Sequence, residues 1–261
     1  MALSLPGLSS VAVVEFYETI RGGRRGAEAV ALLDGVRRNK GVKAVVLDID
    51  SPGGSAVASE YLYLATRKLA AEKPVVAFIR GTGASGSYML ACGAARIVAI
   101  PTAIIGSIGV ISVRPIVQDL LARVGVQIAV NKTGPYKDSG AFYRSPTDEE
   151  LEREQVLIAE YYDSFLDIIV EGRKLERETV RSFATGEIFT ARKAQTMGLV
   201  DELGDLDTAI DAAVRMAGIK RRVIHARPRR PFPQRLLSGA SSIVMEEITV
   251  RVDRWLLTKS L

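Results

Sequence analysis

Residues 42–55, VKAVVLDIDSPGGS, contain the features that decide the fold of this chain. Val42–Ile49 is a nearly continuous apolar run, which is typical of a strand covered on both faces in a parallel sheet. Asp50–Ser55 follows with one proline and two glycines, which indicate a turn at the carboxyl end of that strand. Because open α/β sheets place their sites at these ends, the turn is a first candidate site.

Short β-branched runs alternate with helical patterns on both sides of this stretch. Such repeated strand–helix–strand units predict an α/β fold with a mostly parallel sheet and flanking helices. The predicted strands are Val11–Phe16, Pro74–Ile79, Arg96–Ile100, Ile108–Val113 and Val126–Val130. The predicted helices are Gly26–Arg38, Ala56–Ala71, one that begins near Ser85, and Pro115–Val124.

Beyond residue 146 the pattern becomes mainly helical. Thr147 and Glu150 have the spacing of a capping box, which predicts a long helix to about Arg173. Shorter helices are predicted at Arg177–Phe183, Ala191–Met197 and Leu206–Ala217. We therefore expect one domain over residues 1–219, of which 147–219 is the mainly helical part, followed by a separate segment, 220–261.

Charge is concentrated in that last segment. Residues 220–235 hold seven basic side chains and no acidic one, although the whole chain has a net charge of only +5. Because a nucleic-acid protein normally spreads its basic residues over the fold, we expect no nucleic-acid partner. A local patch suits an anionic lipid surface or an acidic partner, and a solvated tail fits equally well. Ser241–Leu257 carries an apolar stripe at helical spacing, which favours docking on its own protein or a sister subunit.

Composition excludes several classes of protein. The 261 residues are 48% hydrophobic, which is too apolar for a disordered chain. A single cysteine, Cys92, excludes a disulfide framework or a cysteine-built metal site. The single histidine, His225, lies in the basic stretch, which argues against a histidine-centred triad or a multi-histidine zinc site. We expect neither a metal nor a cofactor.

One stretch, Met89–Val113, is apolar enough to suggest a membrane span, since Arg96 is its only charged residue. Glycines and a proline interrupt it, so we expect a buried helix and strands instead. The first ten residues, MALSLPGLSS, have no positive n-region, and we expect neither a signal peptide nor a transmembrane helix. This favours the cytoplasmic side of a membrane, or a chain from which an anchor has been trimmed.

Two further glycine-rich turns carry reactive side chains. In Gly81–Tyr88 (GTGASGSY), Ser85 starts a helix between small neighbours, as an exposed nucleophile would, although a helix N-cap explains it equally well. In Gly134–Ser139 (GPYKDS), Lys137 could act as a general base if neutral, although most such lysines are simply exposed. The Asp50–Ser55 turn could hold either a phosphate or the oxyanion of an acyl intermediate.

Taken together, five ordered motifs resemble the signal peptide peptidase A family of Ser/Lys-dyad serine proteases, which have the Clp/crotonase-type fold. The resemblance runs from about Val11 to Leu237. The motifs are DSPGGS (50–55), ASGSY (84–88), GSIGV (106–110), YKD (136–138) and ATGEIFTARKAQTMGLVDELG (184–204).

The resemblance implies a role for each matching residue. Ser85 would be the nucleophile and Lys137 the general base, with Ser107 orienting the lysine. The N–H groups of Gly53 and Gly86 would form the oxyanion hole, and Gly54 is a neighbour.

The chain departs from the family pattern at Ser87 and at Gly186-Glu187, where the family more often has glycine and Gly-Arg. Ser87 is therefore expected to alter how the substrate backbone lies. The family's usual N-terminal membrane anchor is not found in this sequence.

By this resemblance the chain is a membrane-associated endopeptidase that degrades cleaved signal peptides or similar apolar peptides through an acyl-enzyme. Members of the family form homo-oligomers whose subunits share active sites. Three alternatives stay open: a Ser/Lys protease that cleaves another membrane protein, a crotonase-type acyl-CoA enzyme, and a non-catalytic binding module.

Overall fold

A mostly parallel sheet of eight strands organises residues 9–227, the part of the chain that the computed structural model describes. The strands are β1 (Ser10–Phe16), β2 (Val42–Ser51), β3 (Val75–Ala84), β4 (Arg96–Ala99), β5 (Ile104–Gly106), β6 (Ile188–Thr190), β7 (Glu202–Leu203) and β8 (Val223–Ala226). The helices are α1 (Gly23–Arg38), α2 (Ala56–Ala70), α3 (Gly86–Cys92), α4 (Gln118–Arg123), α5 (Asp148–Arg173), α6 (Arg177–Phe183), α7 (Ala191–Thr196) and α8 (Leu206–Ala217).

The strand order is β6-β5-β3-β2-β1-β8, and β4 pairs with both β3 and β7. All pairs are parallel except β5 with β6. The predicted mostly parallel α/β architecture is therefore confirmed.

The central strand β2 is covered on both faces, as its apolar run predicts. Leu47 and Ile49 belong to a core built with α1, α2, α3 and α5, whereas Val46 packs in a second core with α8. The one charge in the middle of this strand, Asp48, is 1% exposed and is neutralised by Arg80 of β3, at 2.6 Å. Burial of a charge costs little only when it is paired in this way.

Two strands share the long strand β3. Its first half, Val76–Ile79, pairs with β4, and its last three residues, Thr82–Ala84, pair with β5. The carboxyl end of β3 therefore reaches beyond the main sheet, into the region where β5 ends at Gly106.

The capping box of the long helix is confirmed. Thr147 accepts a hydrogen bond from the Glu150 N–H, the Glu150 carboxylate accepts one from the Thr147 N–H, and α5 ends at Arg173 as expected. Helices α6 and α8 also form at the predicted residues, and α8 has a capping box of its own, between Asp205 and Thr208.

The strands predicted at Ile108–Val113 and Val126–Val130 do not form, and the helix predicted at Pro115–Val124 shortens to α4. No residue from Gly109 to Glu149 is buried, and we call this segment the arm. Its apolar side chains lie open to solvent, with Ile111 85% and Val113 84% exposed. β-branched residues form a strand only where a neighbouring strand accepts them, and the arm has none within the described chain.

The remaining expectations concern the membrane and the C-terminal segment. None of the helices in residues 9–227 is both long and apolar enough to cross a bilayer. The start of the segment 220–261 forms β8, which pairs with β1 and so extends the sheet past residue 219. Residues 228–235 of the basic stretch and the predicted helix at Ser241–Leu257 lie outside the described residues.

Candidate active site

The turn between β3 and α3 holds Ser85 in a conformation that L-residues rarely adopt. Its φ is 52° and its ψ is −127°. The Ser85 N–H donates to the Gly106 carbonyl at 2.8 Å, and its carbonyl accepts from the Tyr88 N–H at 2.9 Å, so the backbone is fixed on both sides. Although Ser85 occupies the N-cap position of α3, its side chain makes no capping hydrogen bond. The hydroxyl of this partly exposed residue is therefore available for another role.

Ser107 occupies the equivalent position on the neighbouring strand. Ala84 and Gly106 are paired in the parallel register of β3 and β5, and each serine lies one residue beyond. Ser107 also has a positive φ, 50°, and its N–H donates to the Glu187 carbonyl at 2.6 Å. The structure thus brings the predicted Ser85 and Ser107 to the same edge of the sheet.

Gly53 and Gly86 lie in direct contact beside this turn. Gly53 has a φ of +91°, and a Cβ atom there would lie 2.6 Å from the Gly86 nitrogen, so only glycine fits. Gly86 is the first residue of α3, so its N–H lies outside the intrahelical hydrogen bonds. The Gly53 N–H donates to the Ser51 hydroxyl at 3.2 Å, near the long limit for such a bond.

Lys137 is exposed on the arm, and the structure of one chain does not join it to Ser85. Within the described residues its ammonium group makes no hydrogen bond and no ion pair. The loop around it is nevertheless anchored, because Asp138 pairs with Arg144 at 2.9 Å and Arg144 pairs with Glu150 at 2.6 Å. Lys132 also pairs with Asp138, at 2.6 Å.

The ionisation of this anchor reflects its cations. Hydrogen bonds from Arg144 and then from Lys132 hold the pKa of the Asp138 carboxyl well below its usual range. Arg144 and the Thr147 N–H lower the pKa of Glu150 to about 2. Both carboxylates are therefore charged throughout the neutral range and fix the loop that carries Lys137.

Three residues of the glycine-rich motifs support the site through contacts that the sequence does not predict. Asp50 accepts a hydrogen bond from the Thr82 N–H at 2.8 Å and so holds the end of β3. Ser51 donates to the Glu18 carbonyl at 2.7 Å. Ser87 is fully buried, with its hydroxyl 2.6 Å from the Ser51 carbonyl. The Ser87 side chain faces the protein interior, and its expected effect on how the substrate backbone lies stays a prediction.

His225 lies away from the turn that carries Ser85. It is on the edge strand β8, where its Nδ1 is 3.2 Å from a Glu15 carboxylate oxygen. Strands β1 and β2 separate β8 from β3, and three spacings between adjacent strands amount to about 14 Å. The histidine is thus not placed to act as a base for Ser85.

Comparison with known proteins matches residues 67–220 to the model of peptidase family S49. The chain is 36% identical over 254 residues to the candidate protease slr0021 of Synechocystis, which covers 96% of this chain and 89% of that protein. It is 32% identical over 260 residues to the chloroplastic serine protease SPPA of Arabidopsis thaliana, covering 97% of this chain and 36% of that protein. It is also 32% identical over 178 residues to a candidate signal peptide peptidase SppA of Enterococcus faecium, covering 68% of this chain and 52% of that protein.

Among solved structures, a mutant of the 1510-N membrane-bound stomatin-specific protease superposes with a TM-score of 0.56. The match covers 85% of this chain and all of the other, and at 14% identity it is a likeness of fold. The fold, the match to the family model and the proteases among the relatives all indicate the same family. The chain belongs to peptidase family S49 and has a Clp/crotonase-like fold.

Proposed function

We propose that this chain is an endopeptidase that uses Ser85 and Lys137 as a dyad and degrades apolar peptides, with cleaved signal peptides as the substrate class. The observation that carries the proposal is the conformation of Ser85. Its backbone has a positive φ, its hydroxyl makes no capping hydrogen bond, and it lies beside Gly53 and Gly86. The name of the Enterococcus relative supports the choice of substrate.

In the proposed reaction, neutral Lys137 takes the proton of the Ser85 hydroxyl while its oxygen attacks the peptide carbonyl. The negative charge that develops on the carbonyl oxygen is stabilised by the N–H groups of Gly86 and Gly53. Lys137 then protonates the leaving amine and afterwards removes a proton from the water that hydrolyses the acyl-enzyme. Ser107 orients the lysine amine.

Gly53 must change its hydrogen bonding for this role. Its N–H donates to the Ser51 hydroxyl, and an oxyanion would have to compete with that acceptor. The competition favours the oxyanion, because a charged acceptor forms a shorter and stronger bond than a neutral hydroxyl does. Gly54 follows directly, so its N–H is a second donor on the same loop.

We further propose that a second copy of the chain supplies Lys137, so that the enzyme is a homo-oligomer with shared active sites. Two observations support this. Lys137 has no partner within the described part of its own chain, and the arm that carries it buries none of its residues. Exposed apolar side chains such as those of Ile111, Val113 and Phe142 are typical of a surface that another subunit covers.

Co-expression of two inactive variants tests both the dyad and the sharing of active sites between subunits. Ser85→Ala and Lys137→Ala should each lose peptidase activity while staying folded, because each removes one member of the dyad. When the two are co-expressed, random assembly into a cyclic oligomer should restore about one quarter of the sites. Activity in either variant alone would contradict the dyad. Inactive single variants that show no recovery on mixing would contradict the sharing.

We also propose that the enzyme associates with a membrane surface through the basic stretch 220–235, which has seven basic residues and no acidic one. Co-flotation with anionic vesicles, lost when these bases are replaced by glutamine, would support the association. Equal flotation with neutral vesicles would contradict it.

A further inference from the structure

One buried hydroxyl joins the turn that carries Ser85 to the loop that carries Gly53. The Ser87 Oγ lies 2.6 Å from the carbonyl oxygen of Ser51 and 2.8 Å from that of Ala84. A hydroxyl has one proton, and the shorter contact is the one that connects two different segments of the chain. Ser87 is 0% exposed, so water does not replace this bond at the protein surface.

Ser51 extends the connection into the glycine loop. It is itself fully buried, its hydroxyl donates to the Glu18 carbonyl at 2.7 Å, and the same oxygen accepts the Gly53 N–H. Two different atoms of Ser51 therefore link the segments: its carbonyl accepts from Ser87, and its hydroxyl oxygen accepts from the Gly53 N–H. Gly53 in turn packs against the backbone of Gly86, so these links begin and end on either side of the reactive turn.

We propose that Ser87 is a positioning residue: its hydroxyl keeps the loop Pro52–Ser55 against the Ser85 turn, so that the two sets of oxyanion donors keep a fixed separation. This inference rests on the proposed function. Ser87 does not touch the substrate, because its side chain is enclosed. Donors of this kind stabilise a transition state only when they are held in place before the reaction, within about 0.5 Å.

The test compares Ser87→Ala with Thr66→Val. Thr66 is a fully buried residue of α2 whose hydroxyl has no hydrogen-bond partner among residues 9–227, so its replacement by valine removes a buried hydroxyl without breaking a hydrogen bond. Ser87→Ala should lower kcat on an apolar peptide about tenfold, with KM within about twofold of the parent value. The second-order rate of Ser85 labelling by a fluorophosphonate should fall by a similar factor. Thr66→Val should change neither rate.

Amide hydrogen exchange gives a readout that does not depend on catalysis. Ser87→Ala should speed exchange at Gly53 and Gly54, and Ser87→Cys, which keeps a weaker donor of similar size, should lie between alanine and the parent in both exchange and kcat. The cysteine variant also serves if the alanine variant does not fold.

The possible outcomes separate the two proposals. Unchanged exchange at Gly53, or faster exchange with an unchanged kcat, would overturn the role of Ser87. An equal loss of kcat in Thr66→Val would also overturn it, because the effect would then be a general one of packing. A parent protein whose Ser85 does not react with the fluorophosphonate would contradict the proposed function, whereas the exchange data would still decide whether Ser87 joins the two segments.

Discussion

The carboxylate of Asp138 accepts two hydrogen bonds from the guanidinium of Arg144, at 3.0 Å from Nε and 2.9 Å from Nη2. The same guanidinium binds Glu150 in the first turn of α5, at 2.8 and 2.6 Å. Arg144 therefore connects the loop next to Lys137 to the longest helix described. Although the arm is exposed, the loop that carries Lys137 is therefore anchored to the folded domain.

The first prediction concerns this connection. Arg144→Gln should lower kcat/KM about tenfold or more, because Asp138 and Glu150 lose their shared cation and the Lys137 loop becomes mobile. Limited proteolysis should cut the arm faster in this variant. Arg24→Gln is the control, since it breaks an exposed pair with Glu28 on α1 and should change neither measurement. Equal effects of the two substitutions would contradict the anchoring role.

The second prediction concerns acid. Hydrogen bonds from Arg144 and the Thr147 N–H lower the pKa of Glu150 to about 2 in the folded protein, from its ordinary value of about 4.5. A depressed pKa contributes stability that is fully present above pH about 4.5 and is lost as the pH falls towards about 2. Pepsin should therefore cut the arm faster as the pH is lowered from about 4.5 to about 2. In Glu150→Gln the rate should be higher at pH 5 and should depend less on pH. An identical pH profile in the parent protein and Glu150→Gln would be evidence that Glu150 does not control the acid sensitivity of the arm.

The third prediction concerns the contact between Gly53 and Gly86. Gly53→Ala should abolish activity and lower the free energy of unfolding by about 1–3 kcal/mol or more, because the new Cβ meets the Gly86 nitrogen and the backbone is left-handed. Gly35 of α1 is a matched control, since a Cβ there meets no atom of residues 9–227 within 4 Å. Gly35→Ala should raise the free energy of unfolding by about 0.5–1 kcal/mol and leave activity unchanged. Denaturant titration measures the stability of the two variants, and peptidase assays measure their activity. An active Gly53→Ala would contradict the requirement for glycine at the contact with Gly86.

The fourth prediction concerns the single cysteine. Burial raises the pKa of the Cys92 thiol to about 12, and the residue is 1% exposed. Because the thiolate is the reactive form, Cys92 should not react with a disulfide reagent at pH 8 in the native protein. It should react with one equivalent once guanidinium unfolds the chain. Rapid modification of the native protein would show that α3 opens readily.

Much of the fold could be predicted from local sequence signals. The cap at Thr147 and the apolar run of β2 depend on residues a few positions apart, and the structure confirms both. The runs at Ile108–Val113 and Val126–Val130 misled the prediction because a strand needs a neighbour, and pairing is a property of distant residues.

Prediction of the site is limited in the same way, because contacts between distant residues leave no local signal. The glycine turns and Ser85 stand out in the sequence, and the structure brings Ser85, Ser107, Gly53 and Gly86 to one edge of the sheet. The contribution of Ser51 could not be predicted, because its acceptor, the Glu18 carbonyl, lies 33 residues earlier in the chain. Lys137 stays a prediction, because no hydrogen bond joins its amine to Ser85 within the described residues.

The backbone of Ser85 has a further consequence. Holding a non-glycine residue at a φ of 52° and a ψ of −127° costs about 1–3 kcal/mol, and the bonded neighbours of Ser85 prevent it from relaxing. A glycine at this position would remove the cost together with the hydroxyl. Thermal stability and the proposed reactivity therefore make opposite demands on position 85, and selection for a more stable chain would favour loss of the proposed nucleophile.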